Sequence, residues 1–280
     1  MSIKITTDST CDLSPEFLSA HNVEVLPLYI IKDGIPYKDS LEISPQDIFQ
    51  HVSQGGAITT TSAVNVEDYI DCFQQLSQQH EAVIHIDISS DFSSCYQNAC
   101  IAAESFPNVF VVDSRNLSTG HGLVVVEAVQ AAERGMSAPD IVSRLNELIG
   151  RVEASFVIDQ LTYLHKGGRC STVAALGANL LKLKPCIEVS DGKMHVGKKY
   201  RGAFEKVILD YVRDRLQGRT DLDLRRIFIT HTTSPDIVES VKAEVQKYAN
   251  FEEIITTTAG CTISNHCGPN TLGVLFIRSK

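Results

Sequence analysis

The sequence lacks the motifs of the most familiar metal, nucleotide and hydrolase sites. Its eight cysteines form no C-x-x-C pair and no H-E-x-x-H occurs, so no pattern typical of a zinc site is present. There is no G-x-x-x-x-G-K-[ST] loop for a nucleotide phosphate. Ser93 lies in Asp91-Phe92-Ser93-Ser94-Cys95, which has neither glycine of the G-x-S-x-G elbow. We therefore expect no metal, no cofactor and no catalytic centre of these kinds.

Long basic runs and long apolar stretches are also missing. The formal net charge is −9, from 25 basic and 34 acidic residues, which argues against nucleic acid as a partner. No apolar run approaches the length of a membrane span, and the N-terminus enters a strand without a signal peptide. Since 43% of the residues are hydrophobic, a full core can form. We expect a soluble cytoplasmic protein.

Strand and helix patterns alternate along the chain, which predicts the α/β class. Ser14-Pro15 and Ser44-Pro45 each indicate a helix start, with serine as N-cap and proline at the first helical position. We expect two α/β domains, residues 1–150 with a mostly parallel sheet and residues 151–280 with a mixed sheet. A groove between such domains is a common ligand site.

The predicted elements have the periodicity of buried strands or amphipathic helices. Predicted strands cover 3–7, 23–31, 35–40, 82–88, 109–113, 153–158, 186–189, 194–200, 226–230, 254–258 and 271–277. Three predicted helices follow the N-cap residues Ser14, Ser44 and Asn65. Further predicted helices cover 95–106, 119–134 and 235–248, with two helical pieces after residue 158.

Two serine/threonine clusters, Thr59–Ser62 and Ser89–Ser94, are predicted to lie in turns between a strand and a helix. Hydroxyls and helix N-terminal N–H groups at one sheet edge can together hold a single carboxylate or phosphate. The first cluster could equally be an ordinary polar turn with local hydrogen bonds. In the second, Ser93 could cap a helix, which is compatible with anion binding.

Two further segments could supply charged or titratable side chains to a site. Gly167-Gly168 is expected to end a short helix, so that Arg169 projects from a fixed frame and can pair with an anion, or simply be exposed. His266, between a strand end and the Gly268-Pro269 turn, could face a cleft or be an ordinary loop histidine.

An enzyme remains an alternative at this point. Ser93, His266 and an acid such as Asp8 or Asp113 could form a Ser-His-Asp triad, which would make the chain a serine hydrolase or acyltransferase.

The order of several short motifs resembles the DegV family, bacterial fatty-acid-binding proteins that serve fatty acid kinase. The resemblance covers essentially the whole chain. The matching motifs are Thr7-Asp8-Ser9-Thr10-Cys11-Asp12-Leu13, Thr60-Thr61-Ser62, Ser89-Ser90-Asp91-Phe92-Ser93-Ser94-Cys95-Tyr96, Val112-Asp113-Ser114, Leu164-His165-Lys166-Gly167-Gly168-Arg169, Lys184-Pro185-Cys186-Ile187, Asp191-Gly192-Lys193 and Gly260 to Pro269.

The resemblance implies one long-chain fatty acid buried between the two domains. It implies that Thr61, Ser62 and Ser93 hold the carboxylate, and that Arg169 and His266 complete or border the head-group site. The family often has Ser-Gly-Thr-Tyr where this chain has Ser93-Ser94-Cys95-Tyr96, so Ser94 is expected beside the head group, where it narrows the space.

The family's biology implies a partner as well as a ligand. A separate fatty acid kinase would phosphorylate the bound carboxylate, and this chain would be a carrier subunit without its own catalytic centre. Ligand exchange could involve transient contact with a membrane surface.

Overall fold

The computed structural model describes residues 3–171 and 183–279. The strands are β1 (Ile3–Asp8), β2 (Glu24–Leu26), β3 (Tyr29–Lys32), β4 (Ile35–Lys38), β5 (Thr60–Ser62), β6 (Ala82–Asp87), β7 (Val109–Asp113), β8 (Val152–Ile158), β9 (Leu183–Ser190), β10 (Lys193–Arg201), β11 (Leu222–His231), β12 (Glu253–Thr258) and β13 (Thr271–Arg278). The helices are α1 (Pro15–Ala20), α2 (Pro45–Ser53), α3 (Val66–Gln79), α4 (Cys95–Ala103), α5 (Ser118–Glu133), α6 (Ala138–Ile149), α7 (Leu161–Gly167), α8 (Phe204–Leu216), α9 (Pro235–Tyr248) and α10 (Cys261–Cys267).

The strands form three sheets, and the predicted α/β class is confirmed. A parallel sheet has the order β2-β1-β6-β7, and a mixed sheet has the order β10-β9-β8-β13-β11-β12. In the mixed sheet only β11 and β12 pair in parallel, and the other neighbours are antiparallel. A small antiparallel sheet, β4-β3-β5, stands beside them.

Helix α5 packs between the parallel and the mixed sheets, against β1 and β6 on one side and β8, β11 and β13 on the other. Thirteen of its 16 residues are buried, as expected of a helix covered on all sides. Ile84, Val124 and Phe156 therefore belong to one continuous apolar core. The expected boundary near Gly150 falls between α6 and β8, and the division into two domains stays a prediction.

The predicted helix starts at Ser14, Ser44 and Asn65 are confirmed, since each side chain accepts a backbone N–H of its own helix. The predicted helix over 235–248 and the strands over 153–158, 254–258 and 271–277 are present within a residue or two. Of the two helical pieces expected after residue 158, the first is α7 and the second lies outside the described residues.

Three predictions about local structure were wrong. The single strand expected over 23–31 is two strands in different sheets, because Pro27 separates β2 from β3. Thr60 to Ser62 form β5 rather than a turn, since Ile30 of β3 pairs with Thr61. The segment after Gly260, expected to be a loop, is helix α10.

Helix α8 was not predicted at all. Its buried residues recur at helical spacing, but its N-cap position is Ala203, which makes no side-chain hydrogen bond, so the usual start signal is missing. Within the described residues no helix combines the length and the apolar character needed to cross a membrane.

Candidate functional site

A cavity of about 90 Å³ lies among the parallel sheet, the small sheet, α7 and α10. Its lining combines polar and apolar side chains, which we call the polar end and the apolar walls. The polar end is formed by Thr262 and by all six predicted site residues, which are Thr61, Ser62, Ser93, Ser94, Arg169 and His266. The apolar walls are Leu28, Ala63, Ile88, Phe92, Leu117, Leu164, Met194, Ile263 and Cys267.

The hydroxyl of Thr61 and the imidazole of His266 are hydrogen-bonded to each other. Strand β5 holds Thr61 opposite Ile30, and α10 carries His266 to the same point. Thr61 Oγ1 lies 2.9 Å from His266 Nε2. This contact joins the two predicted segments that are most distant in sequence.

The imidazole of His266 is neutral, and one of its two nitrogens is hydrogen-bonded. Burial, and secondarily the positive charge of Arg169, lower the pKa of His266 to about 4. Its Nδ1 is buried and has no hydrogen-bond partner among the described residues. A buried unpaired acceptor costs less than a buried unpaired N–H, so we assign the ring proton to Nε2, which donates to Thr61. The Thr61 hydroxyl proton is then free for an acceptor in the cavity.

Gly167 provides the space that the His266 ring occupies. A Cβ atom at this position would lie 2.2 Å from His266 Nδ1. The same glycine ends α7, and Gly168 after it has φ +68°, a conformation that favours glycine. The Gly-Gly pair therefore ends the helix, as predicted, and also makes room for the imidazole.

Arg169 connects the end of α7 with the loop before α4. Its Nη1 donates to the Gly167 carbonyl at 2.7 Å, and its Nε donates to the Phe92 carbonyl at 3.3 Å. The side chain is exposed, and no carboxylate of the described residues forms an ion pair with it. Part of the guanidinium can therefore bind an anion at the cavity.

Ser93 lies just before α4, at the carboxyl-terminal edge of the parallel sheet. Its hydroxyl donates to Cys95 Sγ at 3.1 Å and accepts the Cys95 N–H at 3.3 Å. Burial raises the pKa of the Cys95 thiol, which stays protonated at neutral pH. Ser93 thus binds the first N–H of α4, but the N-cap position is Ser94, whose side chain makes no capping hydrogen bond. Ser94 and Ser62 are exposed at the rim.

The predicted triad of Ser93 and His266 with Asp8 or Asp113 does not make the hydrogen bonds of a serine protease. The triad requires the nucleophilic serine on one imidazole nitrogen and an acid on the other. His266 bonds Thr61 instead of Ser93. Asp8 lies beside His121, with 3.9 Å between Oδ1 and Nδ1, and Asp113 accepts the N–H groups of Ser90 and Arg115.

A buried polar cluster lies beneath Ser93. Asp8, Asp87 and Cys95 bring one potential ligand atom each within 4.8 Å of one another, and all three are buried. Asp8 already accepts three hydrogen bonds, from Ile88 N–H and from the N–H and hydroxyl of Thr10. This cluster was not predicted from the sequence, because its members lie on different strands and on a helix.

The apolar walls and Thr262 were also missed. Leu28 and Met194 lie far apart in the sequence in ordinary strand-like segments, so no local pattern marks them. Thr262 lies within the motif from Gly260 to Pro269, but its orientation depends on helix α10, which was not predicted.

The sequence profile of the DegV family, described as "Uncharacterised protein, DegV family", matches residues 2–279. The chain is an α/β protein of this family, as its motifs indicated. A DegV domain-containing protein of Caldanaerobacter subterraneus subsp. tengcongensis is 32% identical over 280 residues, covering 98% of each chain. One from Clostridium acetobutylicum is 33% identical over 279 residues, again with 98% of each covered.

Solved structures share the whole fold. A fatty-acid-binding DegV family protein from Thermus thermophilus is 31% identical, with a TM-score of 0.91 over 99% of this chain and 100% of that one. A stearic-acid-binding protein from Eubacterium ventriosum is 26% identical, with a TM-score of 0.85 over 100% of this chain and 99% of that one.

Proposed function

We propose that the chain binds one long-chain fatty acid, with the carboxylate at the polar end of the cavity and the acyl chain along its apolar walls. The observation that carries the proposal is a cavity whose lining combines hydroxyls, an arginine and an imidazole with apolar side chains. The fatty acids bound by the Thermus and Eubacterium relatives support the same ligand class.

The residues around the head group would act in two ways: some donate hydrogen bonds to the carboxylate, and one supplies a positive charge. The Thr61 hydroxyl can donate to a carboxylate because His266 Nε2–H occupies its acceptor side. Ser93 can rotate its proton from the weak acceptor Cys95 Sγ to the ligand. Arg169 supplies the positive charge, and Ser62 and Ser94 border the head group at the rim.

The acyl chain supplies most of the affinity. Burial of apolar surface is worth about 0.8 kcal/mol per CH₂, so about twelve buried CH₂ groups give roughly 10 kcal/mol before the cost of association. A hydrogen bond to the carboxylate adds about 1.5–3 kcal/mol. Sites for small molecules usually have volumes of roughly 300–1,000 Å³, and the cavity has about 90 Å³. We therefore expect the cavity to widen when a long chain enters.

We further propose that a separate fatty acid kinase phosphorylates the carboxylate bound to this chain. The sequence has a carboxylate-binding constellation but no P-loop, so another protein must bring ATP. The chain then acts as a cytoplasmic carrier, with transient membrane contact during ligand exchange, and contributes no catalytic group.

The binding proposal is tested by comparing a long-chain acid with the alcohol of equal length, using displacement of a fluorescent acyl probe. We expect Thr61→Val to weaken acid binding at least tenfold, since a charge-assisted bond is lost, and to leave alcohol binding within threefold. Equal affinity of the wild-type protein for acid and alcohol would contradict a carboxylate site here.

The kinase proposal needs a reconstituted reaction with ATP, radiolabelled fatty acid, this protein and a bacterial fatty acid kinase. Acyl-phosphate should form only when both proteins are present. Its formation by this chain alone would refute the carrier role.

A further inference from the structure

Asp39 is a buried carboxylate at the junction of two chain segments that form the cavity. It follows β4 and is 2% exposed. Its oxygens accept five hydrogen bonds: Cys261 N–H at 3.0 Å, Thr262 N–H at 3.0 Å, Thr262 hydroxyl at 2.6 Å, Ser9 hydroxyl at 3.1 Å and Ser40 hydroxyl at 2.8 Å.

The carboxylate connects the small sheet with α10. Strand β4 pairs with β3, and β3 pairs with β5, which carries Thr61. On the other side, Asp39 binds the first two N–H groups of α10, the helix that carries His266. The distance between Thr61 and His266 therefore depends on how α10 is held against the small sheet.

No lysine or arginine of the described residues forms an ion pair with Asp39, so its charge is stabilised by donors alone. Two of the five donors are the free N–H groups at a helix N-terminus, where a negative charge is favourable. The five donors outnumber the roughly four lone-pair sites of the two carboxylate oxygens, so no acceptor site is left vacant. Such a saturated buried carboxylate fixes the groups around it, because any displacement leaves a buried charge unpaired.

Other contacts position the same helix but do not replace this one. Asp12 Oδ1 accepts the Gly260 N–H at 2.8 Å, one residue before α10 begins. Cys261 Sγ donates to the Ile43 carbonyl at 3.1 Å. Of these carboxylates, only Asp39 binds backbone N–H groups of α10 itself and belongs to the hairpin of the small sheet.

We propose that Asp39 is a positioning residue that holds His266 against Thr61 and so gives the cavity its preference for a carboxylate over a neutral head group. This inference rests on the proposed function. The backbone N–H of Asp39 donates to the carbonyl of the wall residue Leu28 at 2.8 Å, and Asp39→Asn keeps this bond. The side-chain carboxylate makes no hydrogen bond to a residue of the apolar walls, so the effect of changing it should be confined to the polar end.

The test is Asp39→Asn, which keeps the side-chain shape. Asparagine has one acceptor oxygen and an amide that would face donors. We expect the ratio of acid to alcohol affinity to fall at least tenfold, while alcohol binding changes less than threefold. The ¹⁵N NMR signals of the His266 imidazole should show loss of the Nε2–H tautomer that Thr61 stabilises.

The matched control is Asp140→Asn, which changes a carboxylate in the first turn of α6, bonded to the Ser137 hydroxyl at 2.6 Å and outside the cavity. This variant should leave the ratio of acid to alcohol affinity unchanged. If Asp39→Asn does not fold, Ser9→Ala removes one of the five donors, and its ratio should still fall about threefold.

The outcomes separate the two proposals. A folded Asp39→Asn variant with the wild-type ratio, or one that loses acid and alcohol binding equally, would overturn the positioning role. Failure of the wild-type protein to bind either compound would refute the proposed function itself, and this inference with it.

Discussion

Gly167→Ala should be destabilising even though alanine is the better helix former. A Cβ at residue 167 would lie 2.2 Å from His266 Nδ1, whereas ordinary contacts begin at 3.4 Å. The ring must therefore move by about 3.4 − 2.2 = 1.2 Å, which is enough to break its 2.9 Å contact with Thr61. Alanine gains at most about 1 kcal/mol over glycine in a helix, and less at a last helical residue.

Overpacking of this kind usually costs about 1–3 kcal/mol. For a chain of this size, about 1 kcal/mol shifts the Tm by roughly 2–4 °C. We expect Gly167→Ala to lower the Tm by at least about 2 °C and to reduce the preference for acid over alcohol, both measurable by calorimetry and probe displacement.

Gly150→Ala is the control, because Gly150 also ends a helix, has φ −67° and has no atom within 4 Å of an added Cβ. Its Tm should stay level or rise. If Gly167→Ala is as stable as Gly150→Ala and keeps the acid preference, the role of Gly167 in placing the imidazole is refuted.

Three further predictions concern single side chains. Since burial, and then Arg169, lower the pKa of His266 to about 4, its NMR signals should not titrate between pH 8 and 5.5. The stability from this neutral histidine is present above the unfolded pKa of about 6.5 and is lost as the pH falls toward 4; a midpoint above pH 6 would contradict this. Ser93 should not react with a fluorophosphonate, while Ser93→Ala should weaken acid binding more than alcohol binding; stoichiometric labelling would favour a hydrolase. Arg169→Ala should lower acyl-phosphate formation with the kinase at least tenfold, because the charge that orients the bound carboxylate for the kinase is lost, yet leave fatty acid bound; a wild-type rate would refute its role.

The sequence predicted the elements whose signals are local. The strand 82–88 and the helix starts at Ser14 and Ser44 have their signals within a few residues, as apolar runs or N-cap side chains, so they could be recognised. The same holds for the end of α7 at Gly167-Gly168, which the glycine pair indicated.

The elements that were predicted wrongly depend on contacts between residues distant in sequence. Helix α10 contains cysteine, threonine, serine and asparagine, which are modest helix formers, and its first N–H groups are held by Asp39, 222 residues away. Strand β5 has three residues and exists through its pairing with β3. Neither contact can be recognised from the residues that are neighbours in the sequence.

The candidate site was predicted in its residues but not in its bonding. The six residues line one cavity, yet the Thr61–His266 contact, the space provided by Gly167 and the anchoring by Asp39 required the fold. These contacts decide which hydroxyl proton can reach a ligand.

The central claim is that the cavity holds a fatty acid, and solvent extraction of the purified protein followed by mass spectrometry tests it most directly. We expect one long-chain fatty acid per chain, in about equimolar amount. A nucleotide or polar metabolite in that amount, with no fatty acid, would contradict the account.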